Sequence, residues 1–317
     1  MTQETLERTS TTLEIPRLSL QDLHRLSIKN DIKPLLLIFS TFIAIIFAFA
    51  LYTLSPSKLT FIISFILIGG LQHQLFNIQH EAIHYSLFTN KTLNNVIGSI
   101  VAFSIFFTMN YRKLHYLHHQ NLGEYGDSDL ERYKNYPCRF SYFFIDFLKN
   151  ITGIAAVTQF LKSNLLTKEK KKSKIDLQIF GMLTTQAIIF LTLWKLSSIT
   201  TYFLLWILPL ITLTKTLSHF RNIAEHVLVR DLGDPEFSRY RTIICNPIEQ
   251  FFFAPVNFNY HAEHHLYVGI PYYHLPEAHK ILSKQKEYNS IIDLEHGYLK
   301  VIFSKAIENF SKPRSTL

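Results

Sequence analysis

Nine of the fifteen histidines fall into four short clusters, and each cluster follows a long apolar segment. The clusters read H-E-A-I-H at 80–84, H-Y-L-H-H at 115–119, N-I-A-E-H at 222–226 and H-A-E-H-H at 261–265. Neutral imidazole is the commonest protein ligand for transition metals. So many imidazoles beside segments of membrane length predict a metal centre at the surface of a bilayer.

The spacing of the histidines indicates how they would be shared between metals. Residues four apart lie on one face of a helix, as His80 and His84 would. Neighbours such as His118 and His119 point about 100° apart on a helix, so they can serve different metals. The same spacing recurs in the 261–265 cluster, and Asn222 is again four residues from a histidine.

The number of imidazoles indicates the kind of metal. A structural zinc site takes four ligands, typically including cysteine. Nine imidazoles are too many for one ion and suit two. Iron accepts imidazole ligands and leaves coordination positions open for oxygen. The composition of the clusters therefore predicts a pair of irons held mostly by histidine.

One motif fits a different chemistry. The 80–84 cluster also matches H-E-x-x-H, the signature of zinc metalloproteases, in which Glu81 would be the general base. Under this interpretation the protein would be an intramembrane protease. The interpretation leaves both H-x-x-H-H clusters without a role.

The elements that must position these clusters are four apolar segments of about 20 residues, the length that crosses a bilayer as a helix. Short connections join the first to the second and the third to the fourth, which predicts two helical hairpins. The predicted spans are 35–54, 59–78, 177–196 and 201–218. Two further segments are not predicted to cross. The apolar run 96–109 suits an interfacial or buried helix. The segment 140–166 suits an amphipathic helix lying on the membrane, with packing against the spans as the alternative.

Positive charge predicts the orientation in the membrane. Of the 32 Lys and Arg residues, 28 lie in the polar segments 1–33, 112–174 and 221–314. By the positive-inside rule these segments are cytoplasmic, so both termini and all four clusters are predicted on the cytoplasmic side. The net charge of +8 is explained by loops that face anionic lipid and requires no nucleic acid partner.

The motifs H-x-x-x-H, H-x-x-H-H and a second H-x-x-H-H, distributed over two hairpins, resemble those of the integral-membrane fatty acid desaturase superfamily. The C-terminal stretch N-Y-H-A-E-H-H-L-Y at 259–267, followed by Ile270-Pro271 and Leu275-Pro276, is similar to its last signature. Asn222 and His226 resemble an additional ligand pair of that family, in which the Asn reaches the metal through water. The resemblance covers about residues 35–290.

The resemblance implies an all-α integral membrane fold, with four transmembrane helices in two hairpins and a cytoplasmic helical cap that holds a di-iron site. A polar tail would occupy 1–33, the membrane domain 34–290 with its cap at 80–174 and 219–290, and a C-terminal tail 291–317. The implied metal ligands are His80, His84, His115, His118, His119, Asn222, His226, His261, His264 and His265.

The resemblance also implies an activity. The protein would use dioxygen to introduce a double bond into the alkyl chain of a fatty acyl lipid, with electrons from a separate ferredoxin or cytochrome. A hydroxylase or ketolase of the same superfamily, acting on a lipid, a carotenoid or a smaller amphiphile, is the alternative. Histidine ligands usually donate their second ring N–H to a carboxylate or carbonyl. The candidates for that role are Glu81, Asp127, Asp129, Glu225 and Glu263.

Overall fold

The computed structural model describes residues 16–166, 176–227 and 240–308, and these are mostly helical. Parts of both predicted tails and of the predicted cap lie outside the described residues, including the basic run 168–174. The first eight helices are α1 (Leu20–Leu26), α2 (Ile32–Leu54), α3 (Lys58–Ile83), α4 (Lys91–Ser104), α5 (Tyr111–Gln120), α6 (Leu130–Tyr133), α7 (Phe140–Ile151) and α8 (Ile154–Leu166).

The second half of the chain continues with two helices of the membrane region and then shorter elements. Its helices are α9 (Leu177–Leu196), α10 (Ile199–Tyr202), α11 (Lys215–His226), α12 (Pro247–Phe253), α13 (His261–Leu266), α14 (Leu275–Leu282), α15 (Lys286–Ile291) and α16 (Tyr298–Lys305). Two strands, β1 (Arg241–Ile244) and β2 (Asp293–His296), pair in parallel.

Four helices of the described residues are long and apolar enough to cross a membrane. They are α2, α3, α9 and the continuous helix Ile199–His226, in which π-helical turns at Phe203–Ile207 and Leu210–Thr214 connect α10 to α11. Their presence confirms the four predicted helices of membrane length. Helices α3 and α11 extend beyond the predicted spans and carry the first and third clusters at their C-terminal ends.

Helix α3 is the most buried of the four helices of membrane length, and other helices pack around it. It packs against α2 and α4, and α4 also packs against α9. A Cβ atom at Gly98 of α4 would lie 2.5 Å from the Cβ of Ala82, so the absence of a side chain lets α4 approach the end of α3 that carries histidines. By contrast, Phe180 and Ile188 of α9 are exposed, as expected of side chains that face lipid.

The prediction of a single amphipathic helix over 140–166 is wrong. Helix α7 ends at Ile151, and the chain bends by 79° before α8. Gly153, at the bend, has a φ of 79°, a conformation that glycine adopts without steric cost. The two helices and the bend could together count as a fifth span by length and composition.

Residues that the sequence analysis assigned to tails join the fold. In the C-terminal region, β2 pairs with β1 and the side chains of Tyr298 and Val301 on α16 are fully buried. At the other end, Leu18 and Leu26 are buried in a cluster with residues of α14 and α15. The domain therefore extends on both sides of the predicted boundaries 34 and 290, because apolar side chains in the flanking segments add to its core.

Candidate metal centre

Ring nitrogens of five histidines converge within 4.8 Å of one another, on a site formed by α3, α5 and α13. We call these residues the first group: His80, His84, His115, His119 and His264. Four of the five are buried and His119 is partly buried. The C-terminal end of α3 contributes two of them, because residues four apart share a helical face.

Distances within the first group are too short and too many for ordinary hydrogen bonding. The Nε2 atom of His115 lies 2.6 Å from that of His80, 2.8 Å from that of His84 and 2.9 Å from that of His119. An imidazole nitrogen either carries one proton or offers one lone pair, so it cannot satisfy three such neighbours. Two ligands bonded to a metal at about 2.1 Å and at right angles lie about 3 Å apart. The arrangement therefore fits a metal ion.

A second group of imidazoles lies beside the first. Ring nitrogens of His118, His226 and His265 converge, and His226 also converges with His261 and a carboxylate oxygen of Glu225. The Nε2 atom of His261 lies 3.1 Å from that of His226 and 3.0 Å from that of His265. We call the four histidines His118, His226, His261 and His265 the second group.

Sequence neighbours are divided between the two groups. His118 belongs to the second group and His119 to the first, and His265 and His264 divide in the same way. The angular separation of adjacent residues on a helix produces this division. Asn222 lies one helical turn before His226, and its Oδ1 is buried without a hydrogen-bond partner among the described residues. All ten predicted ligands are therefore brought to one region.

Burial keeps the imidazoles neutral. Desolvation lowers the pKa of His84 to about 3 and that of His119 to about 2. Burial also holds the pKa values of His115, His264 and His265 well below the usual range. A neutral imidazole has a free lone pair, so these side chains are available to bind a metal at physiological pH.

Asp127 holds one histidine of the second group in place. Its Oδ1 accepts a hydrogen bond of 2.8 Å from His118 Nδ1, and its Oδ2 accepts one of 3.0 Å from the backbone N–H of Gly123 and another from the Tyr133 hydroxyl. Burial raises the pKa of Asp127, but these hydrogen bonds outweigh it and lower the pKa below its usual value. The carboxylate directs the Nε2 lone pair of His118 inward.

Glu81 faces away from the converging imidazoles. Its Oε2 accepts hydrogen bonds from the Ser86 hydroxyl at 2.8 Å and from the backbone N–H of Tyr272 at 3.2 Å. It thus ties the end of α3 to the segment after the last cluster. A metalloprotease would need this carboxylate beside a metal held by His80 and His84. The five converging imidazoles and the engagement of Glu81 both oppose that interpretation.

Two other predicted carboxylates also bind elsewhere. Asp129 contacts Arg132 Nε at 3.5 Å and the Tyr111 hydroxyl at 3.4 Å. Glu263 accepts hydrogen bonds of 2.6 Å from Thr242 Oγ1 and 2.6 Å from His279 Nδ1. Glu263 therefore fixes α13, the helix of the last cluster, to β1 and α14, without a hydrogen bond to a clustered histidine.

Two arginines that the sequence analysis missed support the ends of the histidine-bearing helices. Arg112 donates hydrogen bonds of 3.0 Å to the carbonyl of Ile83 and 3.0 Å to that of Ala82, at the end of α3. Arg241 donates to the carbonyls of Ala224 and, at 2.8 Å, Val227, at the end of α11. The last carbonyls of a helix lack partners within the helix, so both arginines satisfy acceptors next to the candidate metal centre.

A loop between α12 and α13 forms one wall of the site. Val256 and Asn257 have φ values of 66° and 54°, which for a β-branched residue is strained. The loop places the ring of Phe258 against His80 and His264, with centroid distances of 4.7 and 5.5 Å. Val256 and Asn257 also line an open pocket of about 300 Å³. Its other lining residues are Gln74, Pro247, Gln250, Phe251, Pro255 and Tyr272.

Comparison with known proteins assigns this architecture to a family. The model of the fatty acid desaturase family matches residues 56–292. The chain belongs to the fatty acid desaturase family. It is also 29% identical over 265 residues to the dihydrorhizobitoxine desaturase of Bradyrhizobium elkanii, an alignment that covers 78% of this chain and 75% of that protein. These relationships support an oxidoreductase of the desaturase type.

Proposed function

We propose that the protein is a membrane-bound, oxygen-dependent di-iron desaturase that introduces a double bond into the alkyl chain of a lipid. The observation that carries the proposal is the pair of adjacent, buried groups of imidazole nitrogens. When bound, two irons would supply the activation of dioxygen that removal of hydrogen from an unactivated methylene requires. Membership of the desaturase family supports this type of oxidation.

The two groups would divide the ligands between two irons. The first group would hold one iron with five imidazoles. The second group would hold the other with four imidazoles, and the Oδ1 of Asn222 is available beside it. Iron suits such sites because it accepts imidazole and tolerates open positions for a further ligand.

The remaining residues would hold these ligands and position the substrate. Asp127 fixes the orientation of His118, and the burial of the imidazoles excludes bulk water, which protects a reactive oxidant from side reactions. We place access for the substrate at the pocket beside Phe258. Apolar Val256 and Phe251 would contact the alkyl chain there, and the amides of Gln74 and Gln250 would bind a polar end.

The distribution of positive charge supports a cytoplasmic location for the metal centre and for both termini. Electrons would come from a separate ferredoxin or cytochrome, for which the basic cytoplasmic segments offer a docking surface by charge complementarity. The long-chain substrate would reach the pocket from the membrane, in which four helices of the described residues are long enough to be embedded.

A second candidate is a desaturase, hydroxylase or ketolase that acts on a smaller amphiphile or a carotenoid. Two observations favour considering it: the relative bears the name of a dihydrorhizobitoxine desaturase, and amide side chains line the pocket. Whether the substrate gains a double bond or an oxygen depends on how its carbons are positioned. Mass spectrometry distinguishes these products, since desaturation removes two hydrogens and hydroxylation adds an oxygen.

Metal analysis of the purified protein is the first test. We expect two irons per chain, and a single zinc would overturn the proposal. Profiling of lipids and polar metabolites, with and without expression, would then identify the product. We expect His264→Ala to abolish turnover while the protein remains inserted in the membrane. The matched control is His274→Ala, because His274 lies outside both groups near Glu277; it should retain turnover.

A further inference from the structure

A buried carboxylate lies beside the imidazoles of the second group. Glu225 precedes His226 on α11 and is fully buried. One of its oxygens, Oε2, lies 3.8 Å from the Nε2 of His261, within the set of converging ligand atoms that also includes His226. The first group has no carboxylate among its converging atoms in the part of the chain that the structure describes.

The two oxygens of Glu225 have different surroundings. Oε1 accepts a hydrogen bond of 3.0 Å from the Tyr298 hydroxyl. Oε2 has no hydrogen-bond partner among the described residues, although Arg221 Nε lies 3.3 Å away in an orientation that does not form a hydrogen bond. A buried carboxylate oxygen normally accepts hydrogen bonds or binds a cation. Oε2 is therefore ion-paired with Arg221 but accepts no hydrogen bond from the described residues, so it keeps lone-pair capacity for a second cation.

We propose that Oε2 of Glu225 is a ligand of the metal held by the second group, in addition to the four imidazoles. This inference rests on the proposed di-iron function and adds a ligand that the histidine motifs do not include. It makes the two metal sites unequal, with five imidazoles at one and four imidazoles and one carboxylate at the other.

The surroundings of Glu225 are built to direct Oε2 toward the imidazoles. Tyr298 holds the other oxygen. The guanidinium of Arg221 is itself fixed, since Nη1 donates a 2.5 Å hydrogen bond to Asn77 Oδ1 and the group lies 4.1 Å above the ring of Phe258. The carboxylate thus lies between a fixed cation and the site of a second cation. Such a site favours an anion, whose charge partly offsets both.

Other buried glutamates of the histidine clusters lack this arrangement. Glu263 uses both oxygens, with Thr242 on Oε2 and His279 and Tyr288 on Oε1. Glu81 directs its Oε2 to the Ser86 hydroxyl and the Tyr272 backbone. Burial beside a clustered histidine therefore does not by itself place a carboxylate oxygen among the ligand atoms.

The test is the iron content of Glu225→Gln, purified in detergent as the full chain. Glutamine keeps the shape of the side chain and an oxygen for Tyr298, but it replaces the anion by a weak neutral ligand. We expect iron to fall from two per chain to one after dialysis against a chelator that leaves the unmodified protein loaded. The control is Glu81→Gln, a buried glutamate next to His80, which should keep both irons.

Retention of two irons by Glu225→Gln, equal to the unmodified protein, would overturn the inference and leave the proposed function intact. Absence of iron from the unmodified protein would instead overturn the proposed function. A second measurement does not depend on the variant folding. Infrared difference spectra between the chelated and iron-loaded unmodified protein should show a carboxylate stretch that moves on loading and shifts with isotope-labelled glutamate. A spectrum without that band would equally contradict the inference.

Discussion

The two groups of imidazoles are similar in number and burial but differ in their surroundings. In both groups most outer ring nitrogens have no hydrogen-bond partner among the described residues, namely those of His80, His84 and His115 in the first and those of His226, His261 and His265 in the second. In the second group, His118 donates its outer N–H to the carboxylate of Asp127. A second carboxylate, that of Glu225, faces the imidazoles of the second group directly.

The same contrast holds for the two helix ends that carry the groups. Arg112 at the end of α3 is partly exposed, and its other partners are neutral, namely Tyr85 and Asn95. Arg241 at the end of α11 is fully buried and is paired with Asp293, whose Oδ2 lies 2.9 Å from Nε. Helix C-termini attract cations. Of these two supporting arginines, only Arg241, at the end of α11, is itself in an ion pair among the described residues.

The difference indicates that packing supports the end of α3, which carries His80 and His84, whereas charge supports the end of α11, which carries His226. The first group lies where the buried end of α3 meets α5, and the apolar side chains of α3 pack against α2 and α4. The second group lies beside β1 and α16, where buried ions must be paired to be tolerated. Substitutions of charged residues should therefore affect the second group more than the first.

The largest effects are expected for substitutions of His118 and His119, which are neighbours in sequence but belong to different groups. We expect His118→Ala to lose iron from the second group and His119→Ala to lose iron from the first, so each variant would retain one iron per chain. Turnover should be abolished in both, because the proposed reaction needs both metals. Iron analysis with spectroscopy of the remaining site is the measurement.

The double variant serves as the control for that pair. If the two histidines serve different metals, His118→Ala combined with His119→Ala should retain neither iron. If both single variants lost the same site, the double variant would keep one iron, and the division of neighbours between the groups would be wrong.

The next effect concerns the two helix ends. Arg241→Met removes the partner of two buried carbonyls of α11, and each unsatisfied buried group costs about 1–3 kcal/mol. We expect a loss of stability on the order of 2–6 kcal/mol, measured as a lower Tm in detergent. Arg112→Met should cost only about 0.5–1.5 kcal/mol, because water can replace the partly exposed guanidinium. An equal decrease in both variants would remove the contrast between the helix ends.

How much of this could be predicted from the sequence differs between the two regions. The first group depends on helical spacing and on the position of the apolar segments, both of which are local patterns. The histidines at i and i+4 on α3 therefore come together as periodicity indicates. The second group depends on partners that are distant in sequence, since Arg241 comes from a strand and Tyr298 from a helix beyond the predicted domain boundary.

The errors of the sequence analysis have the same origin. Gly153 follows the end of α7 in a left-handed conformation, which glycine adopts without steric cost and which hydrophobic periodicity does not reveal. The strand β2 and helix α16 were assigned to a tail because the family resemblance ends at about residue 290, yet they belong to the fold through parallel pairing with β1 and the burial of Tyr298. These elements join the fold through tertiary contacts, which a local sequence pattern does not reveal.

Asp127→Asn tests the contrast between His118 and His119, which are neighbours on α5 but belong to different groups. Loss of the carboxylate removes the charge that fixes His118, and substitutions of such partners typically lower metal affinity about 10- to 100-fold. Competition with a chelator should show weaker binding of one of the two irons and unchanged binding of the other. Asp129→Asn is the matched control, because the contacts of Asp129 are with Arg132 and Tyr111. Equal weakening in both variants would contradict a specific role for Asp127.

The smallest effect is expected for Tyr133→Phe. The Tyr133 hydroxyl donates to Asp127, which fixes His118, and the Tyr133 ring lies 5.3 Å from that of His226, so Tyr133 lies beside two histidines of the second group. Burial and the bond to Asp127 raise the pKa of Tyr133, so the hydroxyl remains protonated and donates at physiological pH. In the variant Asp127 keeps its bonds to His118 and to the Gly123 and Asp129 backbone. The affinity for the same iron should fall by less than about 10-fold, and a fall as large as that of Asp127→Asn would mean that the tyrosine, rather than the carboxylate, fixes His118.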